Sequence, residues 1–138
     1  MKSFIDTNVL SYWVDDSARA DLVEQLLSQQ AVISVQVLNE FANVLRRKRA
    51  MALPDVEALC ATLIDTCDVL DLSVRTHQTA LTLMARYNLS VYDANIVAAA
   101  ALSGCAVLYS EDMQDGLNLK LAGSASVSAL VIRNPFKV

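Results

Sequence analysis

Four carboxylates, Asp6, Glu40, Asp93 and Asp112, sit where acidic side chains can be aimed at one place. Asp6 ends the short apolar run Phe4-Ile5 and is followed by Thr7-Asn8. Glu40 has Val37 three residues before it, Phe41 one after and Val44 four after. Positions three and four apart share a helix face, so Glu40 lies on or beside an apolar stripe. Asp93 continues the row of Ile96, Val97 and Ala100. Asp112 lies in the polar turn Ser110–Gly116, directly after the apolar run Ala106–Tyr109. An ionised carboxylate buried without a partner costs several kcal/mol. Residues placed this way need a cation, a proton or good hydrogen-bond donors.

Each acid also has a plainer reading. Asp is a favoured helix N-cap, which accounts for Asp6. Asp93 follows Ser90 by three, the S-x-x-D capping signature. Asp112 fits ordinary turn chemistry. Glu40 has no cap to explain it and would instead reach for solvent or an arginine. The weight lies in the four together.

The elements that must position them alternate between short apolar runs and helical patterns. A strand at Phe4–Ile5 is followed by a short helix from Thr7 to Val14. Asp16 or Ser17 caps a helix to about Gln29, with Ala20, Val23, Leu26 and Leu27 inward. Ala31–Ile33 is a buried strand, and Ser34 caps the helix that carries Glu40. That helix ends in Arg46-Arg47-Lys48-Arg49, whose plain reading is dipole compensation on a solvated face. Pro54 opens a helix to about Thr66, Val69–Leu72 reads as a strand, and Ser73 starts another helix. Ser90 opens an alanine-rich helix that Gly104 ends. Ala106–Tyr109 is a strand, and 127–132 holds a last edge strand. Such alternation is the α/β signature. In open α/β sheets, sites form outside the carboxyl ends of the strands, where Asp6 and Asp112 both belong.

Composition bounds the rest. The 138 residues suit one domain, 1–138, with a proper core, and 54 % apolar residues exclude a disordered chain. No apolar run is long enough to span a bilayer, and Met1-Lys2-Ser3 is not followed by a signal-peptide core, so no membrane association and a cytoplasmic location are expected. The three cysteines, Cys60, Cys67 and Cys105, lack CxxC spacing and read as small core residues, with Cys60 and Cys67 on one helix face. The lone histidine, His77, falls in a polar helical segment and cannot build a histidine cage or triad. The net charge of −4 discourages a simple electrostatic nucleic-acid binder. Set aside the four carboxylates, however, and 11 acidic residues face 11 basic ones. Divalent cations among those four would remove most of the negative field an RNA meets.

The chain resembles the PIN-domain ribonucleases, specifically the toxins of VapBC-type toxin–antitoxin pairs, over nearly its whole length. Phe4-Ile5-Asp6-Thr7-Asn8-Val9-Leu10 is similar to the family's opening strand and first acid. Ser34-Val35-Gln36-Val37-Leu38-Asn39-Glu40-Phe41 resembles the second-acid helix, and Leu89-Ser90-Val91-Tyr92-Asp93-Ala94 the third-acid segment. Leu108 to Gly116 looks like the fourth-acid turn in a variant form.

The resemblance implies a three-layer α/β/α fold around a central, mainly parallel sheet, and metal-dependent cleavage of RNA. Carried over, Asp6, Glu40, Asp93 and Asp112 become the acidic metal cluster, with Asp115 as an additional or substitute ligand and Thr7 and Ser110 as supporting hydroxyls. Hard oxygen donors favour Mg²⁺ or Mn²⁺. Arg46, Arg47, Lys48 and Arg49 become candidates for holding RNA phosphates. Tyr12, Trp13 and Tyr92 flank the first and third acids, where they can stack on bases, pack in the core or meet another subunit. The family further implies a homodimer and an acidic antitoxin seated in the groove, a partner suited by the basic run and by apolar residues near Trp13.

Two rivals stand beside this reading. A HAD-type phosphatase also starts with Asp after its first strand, but its motif wants a second Asp two residues on, where this chain has Asn8. A non-catalytic PIN-fold module that only binds RNA or a partner is the other; four acids in one pocket argue against it.

Overall fold

Serines placed just before apolar helical patterns start four of the helices. Ser17, Ser34, Ser73 and Ser90 each accept the backbone N–H three residues on, from Ala20, Val37, Thr76 and Asp93. The computed structural model describes residues 1–120 and 129–137. In chain order the elements are β1 (Ser3–Ile5), α1 (Thr7–Leu10), α2 (Ala18–Leu27), β2 (Ala31–Ser34), α3 (Val35–Arg47), α4 (Leu53–Thr66), β3 (Asp68–Leu70), α5 (Val74–Tyr87), α6 (Val91–Leu102), β4 (Val107–Tyr109), β5 (Asn118–Leu119) and β6 (Leu130–Arg133). A tighter 3-10 turn, Ser11–Val14, follows α1, where the sequence predicts one continuous helix.

The strands form one sheet in the order β3-β2-β1-β4-β6-β5. Every pairing is parallel except β5 on β6. With helices on its faces, this is the expected three-layer α/β/α fold with a mainly parallel sheet. The core is continuous through the sheet: Phe4, Ile5, Ile33, Leu108 and Ile132 are fully buried. On α6, Ala98, Ala99, Ala100 and Ala101 are all buried, and the helix packs on β2 and β4. Small side chains let it lie close to the strands. Gly104, at φ +78°, then turns the chain back toward the sheet, a conformation that suits glycine.

Several boundaries differ from expectation. β3 ends at Leu70, because its partner β2 ends at Ser34, where α3 begins, and Ser34 pairs with Leu70. The last strand is not an edge. β6 lies between β4 and β5, and the two-residue β5 takes the edge. The expected start of that strand, Val127 and Ser128, lies outside the described residues. Cys67 is not on the face of α4 but is its extended C-cap, while Cys60 is half-buried and Cys105 buried. His77 is exposed, as expected for a polar helical segment. Among the described residues, no helix is long and apolar enough to cross a membrane.

The topology fixes where a site can form. From β1 the chain winds outward through β2 to β3, then crosses back to β4 on the other side of β1. The carboxyl ends of β1 and β4 therefore flank the point where the winding reverses, the usual place for a crevice.

Candidate active site

Parallel pairing of Phe4 with Leu108 and Ile5 with Tyr109 puts the next residues, Asp6 and Ser110, side by side. The Asp6 N–H donates to the Tyr109 carbonyl at 3.0 Å, extending the ladder by one step. Both residues are buried, with Ser110 fully so. The Ser110 hydroxyl donates to Asp6 Oδ2 at 3.0 Å, and the Thr7 N–H donates to Oδ1 at 2.8 Å. Asp6 is thus the N-cap of α1, and that role does not exclude another.

Glu40 is held by two donors. Thr7 Oγ1 donates to its Oε2 at 2.7 Å, and Gln36 Nε2 donates to its Oε1 at 3.1 Å. Asp93 stands in the first turn of α6, its backbone N–H bound by Ser90 Oγ at 3.1 Å. Asp112 is exposed on the turn after β4, and its side chain makes no hydrogen bond among the described residues.

Asp6, Glu40, Asp93 and Asp112 line one cleft of about 670 Å³, together with Thr7, Asn8, Tyr12, Lys48, Arg49 and Glu111. Among the described residues, no three acidic, histidine or cysteine side chains stand close enough to cage an ion directly. The four acids nevertheless share a field. Burial pushes the Asp6 carboxyl up to about 6; the Ser110 hydroxyl and the Thr7 amide oppose this, and the charges of Asp93 and Glu40 add to it. Burial also raises Asp93, reinforced by Asp112 and Glu40. The ion pairs among the described residues, Arg19–Glu111 and Arg49–Asp15, involve none of the four.

The structure divides the other candidates. Asp115 is not among the cleft residues; its Oδ1 accepts the Asn134 N–H at 2.8 Å and ties the turn to the end of β6. Of the basic run, Lys48 and Arg49 reach the cleft, whereas Arg46 donates to the Met51 carbonyl and Arg47 points to solvent elsewhere. Tyr12 lines the cleft. Trp13 is half-buried, tilted against Phe41 at 6.3 Å and bonded through Nε1 to Glu24, and is not among the exposed large apolar side chains of the described residues. Exposed large apolar side chains among the described residues include Leu72, Val74 and Tyr92.

Sequence reasoning missed three members of the site. Asn8 Nδ2 reaches Asp6 Oδ2 and Ser110 Oγ, both at 3.4 Å, while its Oδ1 accepts the Glu111 N–H at 3.0 Å. Its only signal was a polar residue two after Asp6. Gln36 sits four residues before Glu40 on one helix face, a spacing that favours such a pair. Glu111 adds a further carboxylate to the cleft wall, and its neighbours lie far off in sequence.

A PIN-domain family model matches residues 3–114. No curated protein matches the chain by sequence. The fold is similar to that of a toxin–antitoxin complex from Klebsiella pneumoniae, at 19 % identity over 99 % of both chains and a TM-score of 0.71. It is similar to a VapC toxin of Mycobacterium tuberculosis described as cleaving the sarcin–ricin loop, at 19 % identity over 80 % of this chain and 89 % of that one, TM-score 0.64. A DNA-bound VapBC complex from Salmonella typhimurium matches at 20 % identity over 79 % of this chain and 85 % of that one, TM-score 0.60. The match over residues 3–114, on the predicted strand and helix order, makes the chain a member of the PIN-domain family.

Proposed function

We propose that the protein is a Mg²⁺- or Mn²⁺-dependent ribonuclease of the toxin type, hydrolysing RNA phosphodiester bonds and restrained by a cognate antitoxin. The observation that carries this is the cleft itself. Asp6, Glu40, Asp93 and Asp112 line it together, and none of them is in an ion pair among the described residues.

The donor set fits a hard divalent cation, since every candidate ligand is a carboxylate oxygen. Mg²⁺ is commonly held by one or two carboxylates plus water and substrate phosphate, so an open arrangement suits it. Asp6 and Asp93 would hold it, with Glu40 and Asp112 acting directly or through water. When bound, the ion supplies an activated water and offsets charge at the phosphoryl group.

The chain's own residues do the rest. Ser110, Asn8 and the Thr7 amide fix the Asp6 carboxylate, and Thr7 with Gln36 fixes Glu40. Lys48 and Arg49 offer cations at the cleft rim to the RNA backbone, and Tyr12 offers a ring to an unpaired base. Asn8, which breaks the phosphatase motif, serves here as a brace between two loops.

The partners follow from the neighbours and the surface. The Klebsiella and Salmonella structures are toxin–antitoxin complexes. The exposed Leu72 and Tyr92, which line one groove, offer apolar surface to a second copy, in keeping with a homodimer.

The test is purified protein with structured and single-stranded RNA, with Mn²⁺, Mg²⁺ or EDTA, beside Asp6→Asn and Asp93→Asn. Cleavage that needs metal and vanishes in both folded variants is expected. RNA binding without cleavage, and melting unchanged by metal, would instead make the chain a binding module.

A further inference from the structure

Asp112 raises a question of support. Asp6, Glu40 and Asp93 lie on or beside regular elements, whereas Asp112 is exposed on a turn and its carboxylate has no hydrogen-bond partner among the described residues. Its place therefore depends on its neighbours. On one side, Met113 is buried and its N–H is bound by Ser110 Oγ at 3.3 Å. On the other stands Glu111, whose N–H is bound by Asn8 and whose carboxylate accepts from Tyr12 Oη at 3.2 Å and Arg19 Nη1 at 3.4 Å.

Arg19 is itself held by two rings. Its guanidinium lies 4.9 Å from the Tyr12 ring centroid and 4.7 Å from that of Phe136. The two rings meet edge to face at 4.9 Å. Phe136 belongs to the segment after β6, where its N–H is bound by Asn134 Oδ1 at 2.9 Å, and Asn134 in turn donates to Asp115. A planar guanidinium packed against a pair of rings that themselves touch loses rotamer freedom before it meets its carboxylate, so its contact is better defined than that of a free surface pair.

We propose that Arg19 is a positioning residue. Clamped by Tyr12 and Phe136, it holds Glu111 against the cleft wall and so sets where Asp112 stands. The segment after β6 thereby bears on the acidic site without touching it. The role rests on the ribonuclease reading above, in which Asp112 serves a divalent cation.

The test uses the full chain with Arg19→Gln, Arg19→Lys, Phe136→Ala and Asp112→Asn, and with Arg86→Gln to control for the loss of one exposed positive charge. Two readouts are taken without RNA: amide hydrogen exchange over residues 110–116, and Mn²⁺ affinity by calorimetry. Residues that orient metal-binding groups typically alter affinity by about tenfold or more. Arg19→Gln and Phe136→Ala are expected to speed exchange over 110–116 and weaken Mn²⁺ by about tenfold, with Arg19→Lys between them and the wild type and Arg86→Gln unchanged. Unchanged exchange in Arg19→Gln overturns the clamp. Faster exchange with wild-type Mn²⁺ affinity overturns its bearing on the site. Asp112→Asn separates the two readings: if it also binds Mn²⁺ like the wild type, the ribonuclease assignment of Asp112 fails, and the positioning role falls with it.

Discussion

Ser110 and Asp6, 104 residues apart in the chain, meet at 3.0 Å because β1 and β4 pair in parallel and both end at the same edge. Ser110 is fully buried, and its oxygen also accepts the Met113 N–H. A hydrogen bond to a charged group contributes roughly 1.5–3 kcal/mol, and a buried donor left unpaired costs a similar amount. Ser110→Ala should therefore lower unfolding stability by about 2 kcal/mol in denaturant titrations at neutral pH. It also removes an influence that lowers the Asp6 pKa, so the onset of Mn²⁺ binding should move to higher pH. A variant with wild-type stability and onset would mean that the Thr7 amide and Asn8 hold Asp6 without the hydroxyl.

The Asp6 titration has a definite sign. Its carboxyl is raised from 3.8 to about 6 in the folded chain. The folded state then binds the proton more tightly than the unfolded state. That contribution is fully present below about pH 4 and is lost as pH rises through about 6. A shift of this size corresponds to about 3 kcal/mol. Other carboxylates impose their own slopes, so the difference between Asp6→Asn and the wild type is the clean measure. Without metal, the variant should gain on the wild type between pH 4 and pH 7. A difference that stays flat would show that Asp6 titrates as an ordinary carboxylate. Because metal competes with the proton, stabilisation of the wild type by Mn²⁺ should grow over the same range.

What the sequence could show follows from what is local. Ser34, Ser73 and Ser90 cap their own helices, so the helix starts were legible from a few residues each. The placement of β6 inside the sheet was not, because strand order is decided by partners far along the chain. The same divide runs through the site. Asp93 was readable as part of a capping pair and as a cleft residue; Ser90 is the cap, its hydroxyl accepting the Asp93 N–H, and Asp93 lines the cleft. Asn8 and Glu111 were invisible as a pair because 103 residues separate them. Arg46 to Arg49 read as one basic run, yet the end of α3 sends only Lys48 and Arg49 to the cleft.

That division makes a prediction about RNA binding. Lys48 carries no ion pair among the described residues, whereas Arg49 is already engaged with Asp15. Each phosphate contact adds close to one unit to the slope of log affinity against log salt. Lys48→Ala should weaken binding of catalytically silenced protein to any RNA and reduce that slope by about 1. Arg47→Ala should leave the slope as it is. Equal losses from the two variants, measured by fluorescence anisotropy across salt, would show that a diffuse basic surface binds the RNA rather than the cleft.

Thr7 ties α1 to α3 through Glu40, at 2.7 Å, and that tie can be cut without touching an acid. Gln36 supplies the second donor from Glu40's own helix, and the same Nε2 also donates to the Tyr92 carbonyl of α6 at 3.3 Å, an exposed and therefore weaker tie. Thr7→Val keeps the shape and removes the hydroxyl. It should cost about 1 kcal/mol of stability and weaken Mn²⁺ by about tenfold, because Glu40 is then free to turn away from the cleft. Thr7→Ser should restore both, since the hydroxyl returns. Gln36→Ala should weaken Mn²⁺ less and leave stability close to wild type. If Thr7→Val loses stability yet binds Mn²⁺ as the wild type does, Glu40 is a structural bridge between the helices, and the ion is served by Asp6, Asp93 and Asp112 without it.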